Sequence, residues 1–125
     1  MNLTQRQLVE VPFNLPQGAK PHPVIIVSTE DAILQDDTII GVMITHNKQE
    51  DDFTFRLYPQ MFTGKIPTTA YQARLHLVSL FNNDDIITNS YHNVVMKQEY
   101  FDRMMERLLS RTFGYKLSLN TNLRQ

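Results

Sequence analysis

Arg74 and His76 stand two residues apart in a stretch, Ala70 to Phe81, whose side chains alternate as in a β-strand. On one strand face that spacing sets a permanent cation beside the one side chain that titrates near neutral pH. An acid–base step on a phosphodiester calls for such a pair. The imidazole moves a proton and the guanidinium stabilises charge growing on the phosphoryl oxygens. The same two residues would serve equally as a surface ion pair and a half-buried strand histidine. Lys20 and His22 form a second basic group, within Gly18-Ala19-Lys20-Pro21-His22-Pro23. Each proline fixes its own φ and biases the residue before it toward extended backbone. The apolar run Val24-Ile25-Ile26-Val27-Ser28 then anchors one end of this stiff loop in the core. Two basic side chains held this way suit an anion. Thr45 ends another apolar run, so its hydroxyl falls at a sheet edge, within reach of a ligand, although threonine also favours strands for packing reasons alone.

Other chemistries lack their residues. There is no cysteine, hence no disulfide and no thiolate chemistry. The histidines, His22, His46, His76 and His92, show no HExxH or other dense ligand spacing, so no metal and no cofactor is expected. Gly-rich phosphate loops and serine nucleophile elbows are absent. A net charge of −1 argues against bulk electrostatic binding of nucleic acid. Such a role would need a local patch, for which Lys20, Lys65 and Arg74 are the candidates. No apolar run approaches the roughly 18 residues of a membrane span, and Met1-Asn2-Leu3-Thr4-Gln5-Arg6 lacks a signal-peptide core. The expectation is a cytoplasmic protein without a membrane partner.

The elements that must position these residues are mostly short strands. Hydrophobic residues make up 42% and charged residues 20% of the 125, enough for one folded domain over 1–125 with a polar tail from about Asn120. Strands are expected over Gln7–Phe13, Val24–Ser28, Thr38–Thr45, Phe53–Tyr58 and Ala70–Phe81. Thr38–Thr45 is apolar nearly throughout, as in a strand covered on both faces. Within the last of these strands Ala73, Leu75 and Leu77 face one side, and Arg74, His76 and Val78 the other. Thr29–Leu34 reads as a helical turn capped by Ser28 or Thr29, and His46–Asp52 as an exposed loop. Ile86–Thr88 reads as a short strand. From about Val94 to Thr112 the period becomes helical, with Tyr100, Phe101, Met104, Met105, Leu108 and Leu109 as the apolar stripe and Gly114 as the stop. Tyr115–Leu119 alternates as an edge strand. The class is α+β, mainly β: a small, strongly curved antiparallel sheet or SH3-like barrel with a C-terminal helix.

Taken in succession, these pieces resemble the MazF/PemK family of toxin endoribonucleases. Val9-Glu10-Val11-Pro12-Phe13 stands for that family's first strand, and His22-Pro23-Val24-Ile25-Ile26-Val27-Ser28 for its Arg-Pro strand. Met43-Ile44-Thr45 matches the threonine element and Ala73-Arg74-Leu75-His76-Leu77 the Arg-x-Asp element. His22 thus occupies the place of the loop arginine, with Lys20 nearby to supply a permanent charge, and His76 replaces the aspartate. The resemblance implies metal-independent cleavage of single-stranded RNA, with the ribose 2′-hydroxyl as nucleophile. In that reading His76, or else His22, is the general base. Arg74 binds the phosphate, Thr45 donates a hydrogen bond, and Lys20 and His22 supply a second cation or the leaving-group acid. Tyr58, Phe62 or Tyr71 would stack on splayed bases. A homodimer and an antitoxin with a disordered acidic segment complete the expectation. The alternative is a member of the same fold without catalysis, binding RNA or a protein. A small-molecule hydrolase ranks last.

Overall fold

Apolar side chains recurring every second residue build a sheet buried on both faces. The computed structural model describes residues 2–87 and 93–116. The chain runs β1 (Leu8–Leu15), β2 (Gly18–Ile26), α1 (Glu30–Asp36), β3 (Thr38–Thr45), β4 (Thr54–Arg56), β5 (Phe62–Thr63), β6 (Gln72–Asn82), β7 (Val95–Met96) and α2 (Gln98–Phe113). Five strands form one antiparallel sheet in the order β1-β2-β3-β6-β4, and β5 pairs with β7.

The two faces feed two cores. Ile25, Val42, Ile44, Ala73 and Leu75 pack on one side under Phe101, Met104 and Leu108 of α2. Val24, Ile26, Ile39, Met43 and Phe81 pack on the other, together with Val9, Val11 and Phe13 of β1 and Ile33 of α1. The two-sided burial expected of Thr38–Thr45 is therefore present, with the expected bounds. Thr29 caps α1, its hydroxyl accepting from Ala32 N–H. The α2 stripe is core, with Met104 fully buried, and Gly114 closes the helix in left-handed backbone at φ 66°.

Three expectations shift. The segment Gly18–Pro23 is no loop but the outer half of β2, paired with β1 in a hairpin whose turn lies between Leu15 and Gly18. Over that half β2 lacks β3 as a second neighbour, so Pro21 and Pro23 sit at an edge where a missing N–H costs little. The helix begins at Gln98 rather than Val94, because Val95–Met96 is taken by pairing with β5. The regular alternation of β6 also fails. Ile44 pairs with Ala73 but Val42 pairs with Val78, so Met43 alone opposes Arg74 to Leu77. This bulge inserts an odd number of residues and inverts the faces beyond it. Val78 joins Ala73 and Leu75 in the first core, while Leu77 crosses to the second. Thr88, His92, residues 117–119 of the expected edge strand and the tail lie outside the described residues.

Candidate active site

Lys20, His22, Thr45 and Arg74 line one cavity of about 280 Å³ at the rim of the second core, where Leu15, Met43 and Leu77 form its apolar wall. Three strands supply these four residues, and Gln17 together with His46, Asn47 and Gln49 of the 46–52 loop completes the polar lining. Phe13 of β1 pairs with Lys20 and Val11 with His22, which puts both basic residues on the face of the second core. Thr45 lies two residues beyond Met43 on β3, hence on that same face. Thr45 pairs with Gln72, and Arg74 follows two positions later on β6. The bulge next brings Leu77 around to close the wall.

His22 is half-buried, its ring edge-on to Phe13 with centroids 6.5 Å apart. Its Nδ1 lies 3.3 Å from the Ile44 carbonyl oxygen. A carbonyl only accepts, so a hydrogen bond here requires the proton on Nδ1, and in the neutral imidazole that tautomer leaves Nε2 with the lone pair. Thr45 Oγ1 accepts from Asn47 N–H at 3.2 Å, which turns the chain out of β3 into the 46–52 loop. Lys20 is exposed and has no ion-pair partner among the described residues.

Arg74 is bound on every terminal nitrogen. Nη1 and Nη2 donate to the two carboxylate oxygens of Asp51 at 2.9 and 3.0 Å, and Nη1 also reaches Gln72 Oε1 at 3.1 Å and Thr54 Oγ1 at 3.2 Å. The surface ion pair that competed with the phosphate-binding reading of Arg74 is thus formed, with a residue the sequence did not single out. That bond, aided by the Phe53 N–H, pulls the Asp51 carboxyl from 3.8 down to about 2. Gln72 was missed too. Fully buried, it donates to the carbonyls of Asn47 and Gln49 at 2.7 and 2.6 Å while accepting from Arg74. It ties the 46–52 loop to the sheet. An Asp before a strand is a recognisable turn signal, since Asp51 Oδ1 accepts from Phe53 N–H two residues on. A glutamine opening a strand carries no such signal.

His76 does not line the cavity. The bulge turns it toward the edge of the first core, where its ring meets Phe53 at 4.7 Å between centroids. Shielding by that contact, then the charge of Arg74, holds its imidazole below the ordinary 6.5 against the opposing pull of Asp51. The remainder of the side chain is exposed. Lys65 lies elsewhere, lining a separate cavity with Tyr58 and Tyr71, so the basic patch of Lys20, Lys65 and Arg74 does not converge in one cavity. Of the aromatic residues considered for base stacking, Phe62 is buried in the first core. Tyr58 and Tyr71 flank Arg56, whose guanidinium carbon stands 4.9 and 3.7 Å from their ring centres. Among the described residues no group of three His, Asp or Glu is placed to hold a metal ion, and no helix is long and apolar enough to cross a membrane.

This antiparallel sheet with its two helices is the fold of the MazF toxins. MazF from Deinococcus radiodurans superposes with a TM-score of 0.71 at 9% identity, over 92% of this chain and 99% of that one. The MazE–MazF structure from the same organism gives 0.70 at 10%, over 93% and 100%. An endoribonuclease from a mycobacterial species gives 0.66 at 13%, over 94% and 98%. No protein-family model and no curated protein matches the chain at the level of sequence.

Proposed function

We propose that the chain is a toxin-type endoribonuclease that cleaves single-stranded RNA without a metal, at the cavity of Lys20, His22, Thr45 and Arg74. The observation that carries this reading is the meeting of those four residues, from β2, β3 and β6, in one cavity of a MazF-like sheet. His22 Nε2 takes the 2′-hydroxyl proton, since its Nδ1 proton is directed to the Ile44 carbonyl. The ribose oxygen then attacks phosphorus and the bond to the 5′ oxygen breaks. That oxygen takes a proton from water, and the products end in a 2′,3′-cyclic phosphate and a 5′-hydroxyl. Lys20, which has no ion-pair partner among the described residues, offsets the growing phosphoryl charge, and the Thr45 hydroxyl donates to a non-bridging oxygen. Arg74 orients the loop through Asp51 and Gln72. His76, expected as the base, has no part in this mechanism, because it sits outside the cavity.

A single donor of this kind is worth about 10²–10³ in rate and an acid–base group about 10²–10⁴. Incubation with long single-stranded RNA in excess EDTA tests the reading. Discrete cyclic-phosphate fragments are expected from the wild type, and losses of those sizes from Lys20→Ala and His22→Asn. Intact RNA across sequences and pH would overturn it. The pairing of Arg74 with Asp51 favours a second reading, a binding module of the same fold, because it consumes the cation best suited to phosphate. A rate that varies with pH separates the two. The MazE–MazF and endoribonuclease–antitoxin structures among the neighbours support an antitoxin partner as part of the first reading, which also includes a homodimer.

A further inference from the structure

Asn47 and Gln49 line the cavity of His22 and Thr45 from the 46–52 loop, and the chemistry of cleavage uses neither side chain. Both residues are exposed. Their hydrogen bonds fix which atom of each amide is oxygen and which is nitrogen. Asn47 Oδ1 accepts from the Gln49 N–H at 2.8 Å, which leaves Nδ2 as a donor. Gln49 Nε2 donates to Asp51 Oδ2 at 3.2 Å, which leaves Oε1 as an acceptor. Among the described residues neither Nδ2 of Asn47 nor Oε1 of Gln49 has a hydrogen-bond partner. The backbone beneath is tied down as well, because the carbonyls of both residues accept from buried Gln72. The loop thus presents a donor and an acceptor already ordered, so little freedom is lost when they are used.

Leu15, Met43 and Leu77 give the same cavity an apolar wall. Such a wall beside an uncharged donor–acceptor pair suits a flat, neutral, hydrogen-bonding ring rather than a phosphate. In a single strand of RNA that ring is a base, splayed from its neighbours and read on its edge. Guanine and uracil carry a keto oxygen beside a ring N–H, whereas adenine and cytosine carry an amino group beside a bare ring nitrogen. In one pose, therefore, one class meets Asn47 and Gln49 donor to acceptor, and the other meets them like to like. Charge decides between the classes. Arg74 is offset by Asp51, Lys20 has no ion-pair partner among the described residues, and no Asp or Glu lines the cavity. A positive lining favours a keto oxygen and opposes an amino group.

We propose that Asn47 and Gln49 read the edge of one base next to the phosphate held at Thr45, and select guanine or uracil over adenine or cytosine. The keto oxygen accepts from Asn47 Nδ2, and the ring N–H donates to Gln49 Oε1. The base packs its face on the wall of Leu15, Met43 and Leu77. Tyr58 and Tyr71 line a different cavity and take no part in this contact. The inference rests on the reading of this cavity as a single-stranded RNA site, and it holds for a binding module as well as for a nuclease.

Fluorescence anisotropy on the full chain tests it, at physiological ionic strength of about 0.15 M. The probes are labelled single strands of deoxyuridine and of deoxycytidine, equal in length. The two bases share one ring and differ in this edge, and without a 2′-hydroxyl neither strand can be cut by the route above. Deoxyuridine should bind at least about tenfold more tightly, as two matched base contacts require. In Asn47→Asp the carboxylate still accepts from the Gln49 N–H but has no N–H to give, so the ratio should fall to about threefold or less. Gln49→Met, which removes the acceptor without shortening the side chain, should lower the ratio in the same way. A purely structural role would weaken both strands alike and leave the ratio where it was. Thermal melting checks that each variant folds. Equal binding of the two strands by the wild type, tighter binding of deoxycytidine, or an unchanged ratio in the folded variants would overturn the proposal. RNA left intact in EDTA, with a deoxyuridine preference that still depends on Asn47, would remove the nuclease reading and uphold the base-reading one.

Discussion

Asp51 meets Arg74 with both carboxylate oxygens, at 2.9 and 3.0 Å, across the gap between the 46–52 loop and β6. The pair connects the wall of the cavity to the loop that rims it. The loop's shape follows from the same carboxylate, which also accepts from the Phe53 N–H. Charge, loop geometry and the edge of the sheet are therefore one unit.

The Asp51 carboxyl is expected to titrate at about 2 in the folded protein. A carboxyl lowered on folding stabilises fully above its ordinary value of 3.8, and that contribution is lost as pH falls toward the folded value. Carbon-detected NMR titration reads the midpoint directly. Arg74→Gln should move it upward but short of the ordinary value, since the Phe53 N–H remains. An Asp51 midpoint near 3.8 in the wild type would show that the pair is not formed in solution.

For His76 the sign is the same, but it arises from a disfavoured cation rather than a favoured anion. Its protonated form is disfavoured by shielding and by Arg74, so its midpoint lies below 6.5. Protonation then works against folding, and stability rises with pH through the range below 6.5. Arg74→Gln removes one downward push and should raise the midpoint. Asp51→Asn removes the upward pull and should lower it further. Proton NMR of the imidazole across pH distinguishes these shifts.

Gln72 is the buried tie of the loop, with both amide hydrogens on the carbonyls of Asn47 and Gln49. Gln72→Ala strands those carbonyls and should cost about 1–3 kcal/mol in denaturant unfolding. Gln72→Glu should be no better, because a carboxylate cannot donate to a carbonyl. Amide exchange should quicken over residues 46–52 in both variants.

At Gly41 an added Cβ would stand 2.7 Å from Val24 Cγ2 and 2.9 Å from Val24 Cβ. β2 and β3 approach too closely there for any side chain, so Gly41→Ala should destabilise by about 1–3 kcal/mol through overpacking. Thermal melting checks this.

Much of the sheet was legible in the sequence because alternation is a direct image of a two-faced strand. Thr38–Thr45 carried its own limits: apolar on both faces, with turn residues before it and polar ones after. Thr45 and Arg74 were legible as strand residues facing one side because each lies on the regular part of its strand. His76 was not, since the bulge opposite Met43 arises from how β3 and β6 meet, and no spacing within Ala70–Phe81 encodes it. Gly18–Pro23 read as a loop because prolines signal one locally, whereas its extended form depends on β1 alongside. Asp51 and Gln72 act across 23 and 25 residues of chain, a distance at which no local pattern speaks.

The central claim is that His22 works as a base in the cavity it shares with Lys20 and Thr45. The most direct test is single-turnover cleavage of RNA in EDTA from about pH 5 to 9, for the wild type and His22→Asn. The wild-type rate should rise with pH and then level off, as a general base requires. His22→Asn should lose that rise and about 10²–10⁴ of the rate at the plateau. An unchanged profile in the variant, or one abolished by His76→Asn instead, would contradict the account.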